Sequence, residues 1–127
     1  MKTRIWMPLV ILLMLAVVLS ACSAKNSPSE IVKKQLTSGT WAAAMSEGTT
    51  ARYTFTKDGN FTCETSVTAG DQEAQLSREG TYEVVESGDA VGVFLRYPKS
   101  AYVVEITCIR NGDRYDFVIA GCPMNLE

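Results

Sequence analysis

From Gly39 onward, β-branched and aromatic residues alternate with polar ones, and glycine-bearing turn signals return roughly every 8–12 residues. That pattern predicts short antiparallel strands at 40–46, 50–57, 60–69, 74–78, 80–86, 90–97, 101–110 and 113–120. Two hairpins test the register. Around Tyr53-Thr54-Phe55-Thr56-Lys57-Asp58-Gly59-Asn60-Phe61, a two-residue Asp-Gly loop would set Phe55 against Thr62 and mismatch the faces. A three-residue Lys57-Asp58-Gly59 loop with left-handed Gly59 pairs Phe55 with Phe61 and Tyr53 with Cys63, and it is the expected turn. In Arg110-Asn111-Gly112-Asp113, a two-residue Asn-Gly loop pairs Cys108 with Tyr115, Ile106 with Phe117 and Val104 with Ile119, with Thr107 and Asp116 facing out.

Both hairpins gather their apolar residues on one side, so they belong to a single curved sheet with one core. Eight short sequential strands predict an all-β fold, a small antiparallel up-and-down barrel. Its inward residues are expected to be Trp41, Ala43, Tyr53, Phe55, Phe61, Cys63, Tyr82, Val84, Val93, Leu95, Val104, Ile106, Tyr115, Phe117 and Ile119. So many aromatic side chains predict a filled interior rather than an open cup. Phe94 points opposite Val93 and Leu95, hence outward, where it is covered by a neighbouring segment or marks a contact patch. Ahead of the strands, Ser27-Pro28-Ser29-Glu30 reads as a helix start, with a serine cap and proline at the first helical position. Ile31, Val32 and Leu36 then share a face, and Gly39 is a stop signal. This short helix is expected to pack on one end of the barrel.

The first segment has a different pattern. Met1 to Arg4 is short and basic, and Ile5 to Leu19 is an apolar run of fifteen residues, in the signal-peptide range and too short for an ordinary membrane span. Small residues then lead to Leu19-Ser20-Ala21-Cys22, which closely resembles the lipobox of bacterial lipoproteins. The resemblance implies that the Cys22 thiol takes a diacylglyceryl group as a thioether and that residues 1–21 are then removed. Two or more acyl chains, at about 0.8 kcal/mol per buried methylene, would hold the product on a membrane. The expected organisation is a signal peptide at 1–21, a lipidated cysteine, tether and short helix at 22–38, and the barrel at 39–127. The expected location is the cell membrane, lipid-anchored on the extracytoplasmic side.

Charge narrows the function classes. The portion after residue 21 keeps all fourteen acids and ten of the twelve bases, hence a net charge of −4. Without a basic stripe, nucleic-acid binding is not expected, because the phosphate term would be repulsive. The chain has no histidine, which excludes serine–histidine catalysis and histidine-ligated metals. Glu83 and Glu105 lie on outward strand faces and read as solvated surface. Asp113 and Asp116 flank a turn without calcium-loop spacing. Lys33 and Lys34 likewise read as a solvated helix face. Beyond Cys22 there remain Cys63, Cys108 and Cys122, so at most one disulfide can form. A regular final hairpin puts Cys122 opposite Ala101, far from Cys108. Cys122 precedes Pro123 in a free tail, so a bridge, if formed, is expected between Cys63 and Cys122. The alternative is three buried thiols acting as small hydrophobes. No Cys-x-x-Cys occurs, and no metal or other cofactor is expected.

Gly39-Thr40-Trp41 opens the first strand after a short helix, as the Gly-x-Trp motif does in lipocalins and related calycin barrels. With Tyr53 to Thr62 and Gly80-Thr81-Tyr82-Glu83-Val84, residues 36 to 120 resemble the small lipocalin-like domains of bacterial lipoproteins. The resemblance implies that Trp41 seals one barrel end, beneath an arginine such as Arg110 or Arg114. It implies binding or an envelope role and no reaction. The leading expectation is a non-enzymatic barrel that binds a small apolar ligand or an envelope component, lined by Trp41, Tyr53, Phe55, Tyr82, Tyr115 and Phe117. The alternative is a protein-interaction or inhibitor module working through segments such as Thr68 to Arg78 and the patch around Phe94.

Overall fold

Ser27 caps the first element of the structure, a computed structural model that describes residues 27–127. The signal-peptide reading, Cys22 and the tether up to residue 26 fall outside the described residues. The Ser27 Oγ accepts a hydrogen bond from the Glu30 amide, Pro28 occupies the first turn, and helix α1 runs Pro28–Leu36. It ends at Thr37. Val32 and Leu36, four residues apart on one face, are completely buried, and Ile31 packs beside them.

Eight strands follow: β1 (Thr40–Ser46), β2 (Thr49–Phe55), β3 (Asn60–Ala69), β4 (Gln72–Ser87), β5 (Ala90–Arg96), β6 (Val103–Asn111), β7 (Arg114–Ile119) and β8 (Cys122–Leu126). Each pairs with the next, and β8 pairs with β1, so the sheet closes into an antiparallel barrel. The expected inward residues form the core. All are buried except Val84 and Val104, which are half-buried and packed against it. Ala51, Val91 and Met124 join them, and no polar or charged residue is buried among the described residues. The helix stands over one end, which also carries the 56–59, 88–89 and 112–113 turns. The opposite end carries the turns at 47–48, 70–71 and 120–121.

The three-residue turn at Lys57-Asp58-Gly59 forms as expected. Gly59 has φ +90°, and Phe55 faces Phe61 while Tyr53 faces Cys63. Four expectations are corrected. First, the last long hairpin turns at Gly112-Asp113 rather than Asn111-Gly112, pairing Cys108 with Phe117 and Ile106 with Ile119. Gly112 at φ +63° takes the first turn position, as Gly70 and Gly88 do in the matching Gly-Asp turns at 70–71 and 88–89. The slip is two residues, so every side chain keeps its face. Second, the expected strands 74–78 and 80–86 are one sixteen-residue strand. Gly80 does not break it. A Cβ there would lie 2.7 Å from the Phe61 ring and closer still to the Arg96 carbonyl, so glycine permits the close approach at this bend.

Third, Cys122–Leu126 is not a free tail but the closing strand. Ala120 and Gly121 both take positive φ, which turns the chain back so that Cys122 faces Ile119 rather than Ala101. Pro123 is tolerated because β8 pairs with β7 only at Cys122 and Pro123, and with β1 only through Met124, Asn125 and Leu126. Fourth, Cys63, Cys108 and Cys122 are free thiols, so the Cys63–Cys122 bridge is not formed.

Candidate functional site

Three regions compete for function: the interior, the clefts near the helix, and the β3–β4 ribbon. The interior brings together most of the aromatic residues expected to line a ligand site, but as packing partners. Trp41 on β1 meets Phe117 on β7 edge to face, with ring centroids 5.0 Å apart. A second group joins Phe55 edge to face with Tyr82 at 5.2 Å, and Phe55 with Phe61 at 6.1 Å; Tyr53 packs on both phenylalanines. Such pairs contribute about 0.5–1.5 kcal/mol each beyond the area they bury. Phe61 meets Tyr97 at 5.3 Å; Tyr97 was not among the expected inward residues, although it continues the parity of Val93 and Leu95 one residue past the end of β5.

Burial shapes the chemistry of the polar tips. It pushes the Tyr53 phenol far up, helped by the Cys63 thiol and Tyr97, and pushes Tyr97 up to about 12 with Cys63 next to it. Burial also raises Tyr82, whose hydroxyl donates to the Thr56 carbonyl, with Asp58 adding to the rise. Cys108 is pushed up to about 12 by burial and by Glu105, the reverse of an activated thiol. Tyr115 is held from outside the core. Arg110 donates to its hydroxyl at 3.3 Å and lies over its ring.

Around the helix, side chains finish what the sheet leaves over. Gln35 donates to the Tyr115 carbonyl at 3.0 Å and accepts from its amide at 2.8 Å, taking the place of a neighbouring strand on β7. The Ser29 amide donates to Glu86 at 2.6 Å; that hydrogen bond, with the Ser29 and Ser27 hydroxyls, holds the Glu86 carboxyl below the usual range. A cleft of about 470 Å³ beside β7 and β8 is lined by Gln35, Trp41, Asn111, Arg114 and Asp116. Arg114 thus shares a cleft with Trp41, while Arg110 stands on Tyr115. The Trp41 Nε1 is buried without a hydrogen-bond partner. Phe94 is half-buried, its ring lying over Gly92 and bordering a small cleft with Val85 and Glu105.

The β3–β4 ribbon has another character. Residues Gln72–Glu79 are all exposed and pair only with β3, because β5 begins its pairing with β4 at Thr81. The Tyr82 amide bonds to Gly59, on the β3 side. Strand alternation therefore turns the backbone groups of Glu73, Gln75, Ser77 and Glu79 to the unpaired side. The result is an open edge about 26 Å long at the usual rise per residue. One ribbon face continues the inward face of the barrel and carries Val67, Ala74 and Leu76, with Leu76 58% exposed. The other face carries Glu64, Ser66, Glu73, Gln75 and Ser77. The sequence pointed to Thr68–Arg78 as an interaction segment and to strands on both sides of it; what Gly80 hid was that the second strand runs on unbroken into the barrel.

Fold, clefts and ribbon define a class, the small helix-capped antiparallel β-barrel. Compared with known protein families, curated proteins and solved structures, the chain finds no match in any of the three.

Proposed function

We propose that this protein is a lipid-anchored, lipocalin-like envelope protein that works as a protein-interaction module through its β3–β4 ribbon. The observation that carries the reading is the bare edge of β4. Four residues present unpaired N–H and C=O groups beside an exposed apolar face, the arrangement that accepts an extended segment as an added strand. The interior supports this choice by its filling: the aromatic residues expected to line a ligand cup pack on one another and on α1. The binding function therefore moves to the outside, and the reading includes no reaction, metal or cofactor. The anchor rests on the Leu19-Ser20-Ala21-Cys22 likeness, and the reading that follows from it is a protein on the extracytoplasmic face of a membrane with a partner among envelope proteins.

A photoreactive side chain placed at Leu76, with Ile109 as an equally exposed control, tests the proposal in intact cells. The expected result is a discrete protein adduct at position 76 and none at 109. Ser77→Pro should abolish it without unfolding the barrel, because the Ser77 amide faces the open side. Equal adducts at both positions, or an apolar small molecule purified one-to-one inside the folded chain, would overturn the reading.

A further inference from the structure

We infer that the helix-bearing end of the barrel docks on an anionic membrane leaflet through Lys33, Lys34 and Lys57, so that the β3–β4 ribbon points away from the membrane. The inference rests on the lipid anchor proposed above and adds an orientation to it. Lys33 and Lys34 come from α1 and Lys57 from the β2–β3 turn, yet the fold brings all three to one cleft of about 430 Å³ with Thr37 and Glu30. All three lysines are exposed. Among the described residues the one ion pair is Arg52 with Glu127, so these lysines are not neutralised by a salt bridge. Asp58, next to Lys57, lies near enough to Tyr82 to raise that phenol.

Reach decides which end meets the leaflet. Pro28 is six Cα–Cα steps beyond Cys22, and six steps span at most about 21 Å even fully extended. An anchored Cys22 therefore keeps the start of α1 within about 21 Å of the headgroups, fewer than about three Debye lengths at physiological salt. The helix end's turns also carry Asp58, Asp89 and Asp113, so its basic surface is the lysine cleft; at the opposite end Glu47, Asp71 and Glu73, at the start of β4, are offset by a single lysine, Lys99. An anionic surface attracts the lysine cleft and repels the acidic residues at the opposite end. Two charges on a helix face read as solvated surface in the sequence; the third lysine, 23 residues beyond Lys34 along the chain but beside the same cleft in the fold, changes that reading.

The native lysines report the orientation directly. The full lipidated chain is placed in vesicles of phosphatidylcholine alone or with phosphatidylglycerol, acetylated briefly, and the labelling of each lysine is read by mass spectrometry. Lys99, in the loop after β5 at the ribbon end, is the internal control. Lys33, Lys34 and Lys57 should react about fivefold more slowly in the anionic vesicles, the factor expected of a basic residue held at such a surface, with high salt restoring the rate. Lys99 should not change. Equal labelling in the two vesicle types, with the chain floating alongside both, would overturn the docking and leave the anchor standing. Loss of Lys99 labelling to the same extent would also overturn it. A chain that fails to float with neutral vesicles would overturn the anchor, and the docking with it.

Discussion

At the helix-bearing end, side chains take up backbone groups that the sheet leaves over; at the ribbon end, one edge of the longest strand is left bare. Gln35 satisfies both backbone groups of Tyr115, and Glu86 receives the Ser29 amide of α1. Val32 and Leu36 then plug the barrel mouth without remaining exposure. Among the described residues nothing comparable covers Glu73, Gln75, Ser77 and Glu79, and Leu76 lies open beside them. A closed barrel removes the edges that invite unwanted pairing. The β4 edge from Gln72 to Glu79 is the long unpaired stretch on which the proposed interaction rests, and the charged Glu73, Arg78 and Glu79 keep it from indiscriminate pairing.

This contrast can be broken by substitution. Phe117→Ala removes a ring that is 1% exposed and packs on Trp41, and it should destabilise the protein by about 3–5 kcal/mol in a denaturant titration. A loss below about 1 kcal/mol would mean that the interior is not packed as described. Gln35→Ala should cost about 1–3 kcal/mol, since the Tyr115 amide and carbonyl lose their partners. Leu76→Ala should change stability by no more than about 0.5 kcal/mol, the range of ordinary surface substitutions, because the side chain is exposed.

The buried phenols add a pH signature. Tyr97 titrates near 10 when unfolded and is raised to about 12 by burial, and Tyr53 and Tyr82 move the same way. A raised pKa means that the folded state holds the proton more tightly. Its stabilising effect is therefore complete below pH 10 and is lost as pH climbs from 10 towards 12. Thermal midpoints recorded across that range should fall steadily, and Tyr97→Phe should flatten part of the fall. A midpoint unchanged up to pH 12 would place these hydroxyls in water.

Much of the fold was legible from alternation alone. The period-2 pattern placed Trp41, Phe55, Ile106 and Phe117 in one interior because a strand residue's face depends only on parity. Parity also explains why placing the turn one residue early, which shifts the pairing by two, moved no side chain to the wrong face. Local chemistry misled in two places, Gly80 and Pro123. Glycine there serves a close approach to Phe61 and Arg96 that is long-range and leaves no local trace. Proline is allowed in β8 by the short ladders on its two sides, which only barrel closure creates. The lysine cluster and the open edge were invisible for the same reason. Both depend on which segments become neighbours, and Lys57 meets Lys33 only once α1 lies over the 56–59 turn.

Residue-resolved amide hydrogen exchange on the full chain tests the bare edge most directly. Amides of Ala74, Leu76 and Arg78, which face β3, should exchange slowly, as should those of Val93, Ile106 and Phe117 in the barrel. Those of Glu73, Gln75, Ser77 and Glu79 should exchange orders of magnitude faster, an odd–even pattern along a single strand. Uniform protection from Glu73 to Glu79 would mean that the edge is already covered in the isolated protein, and the interaction surface described above would not exist.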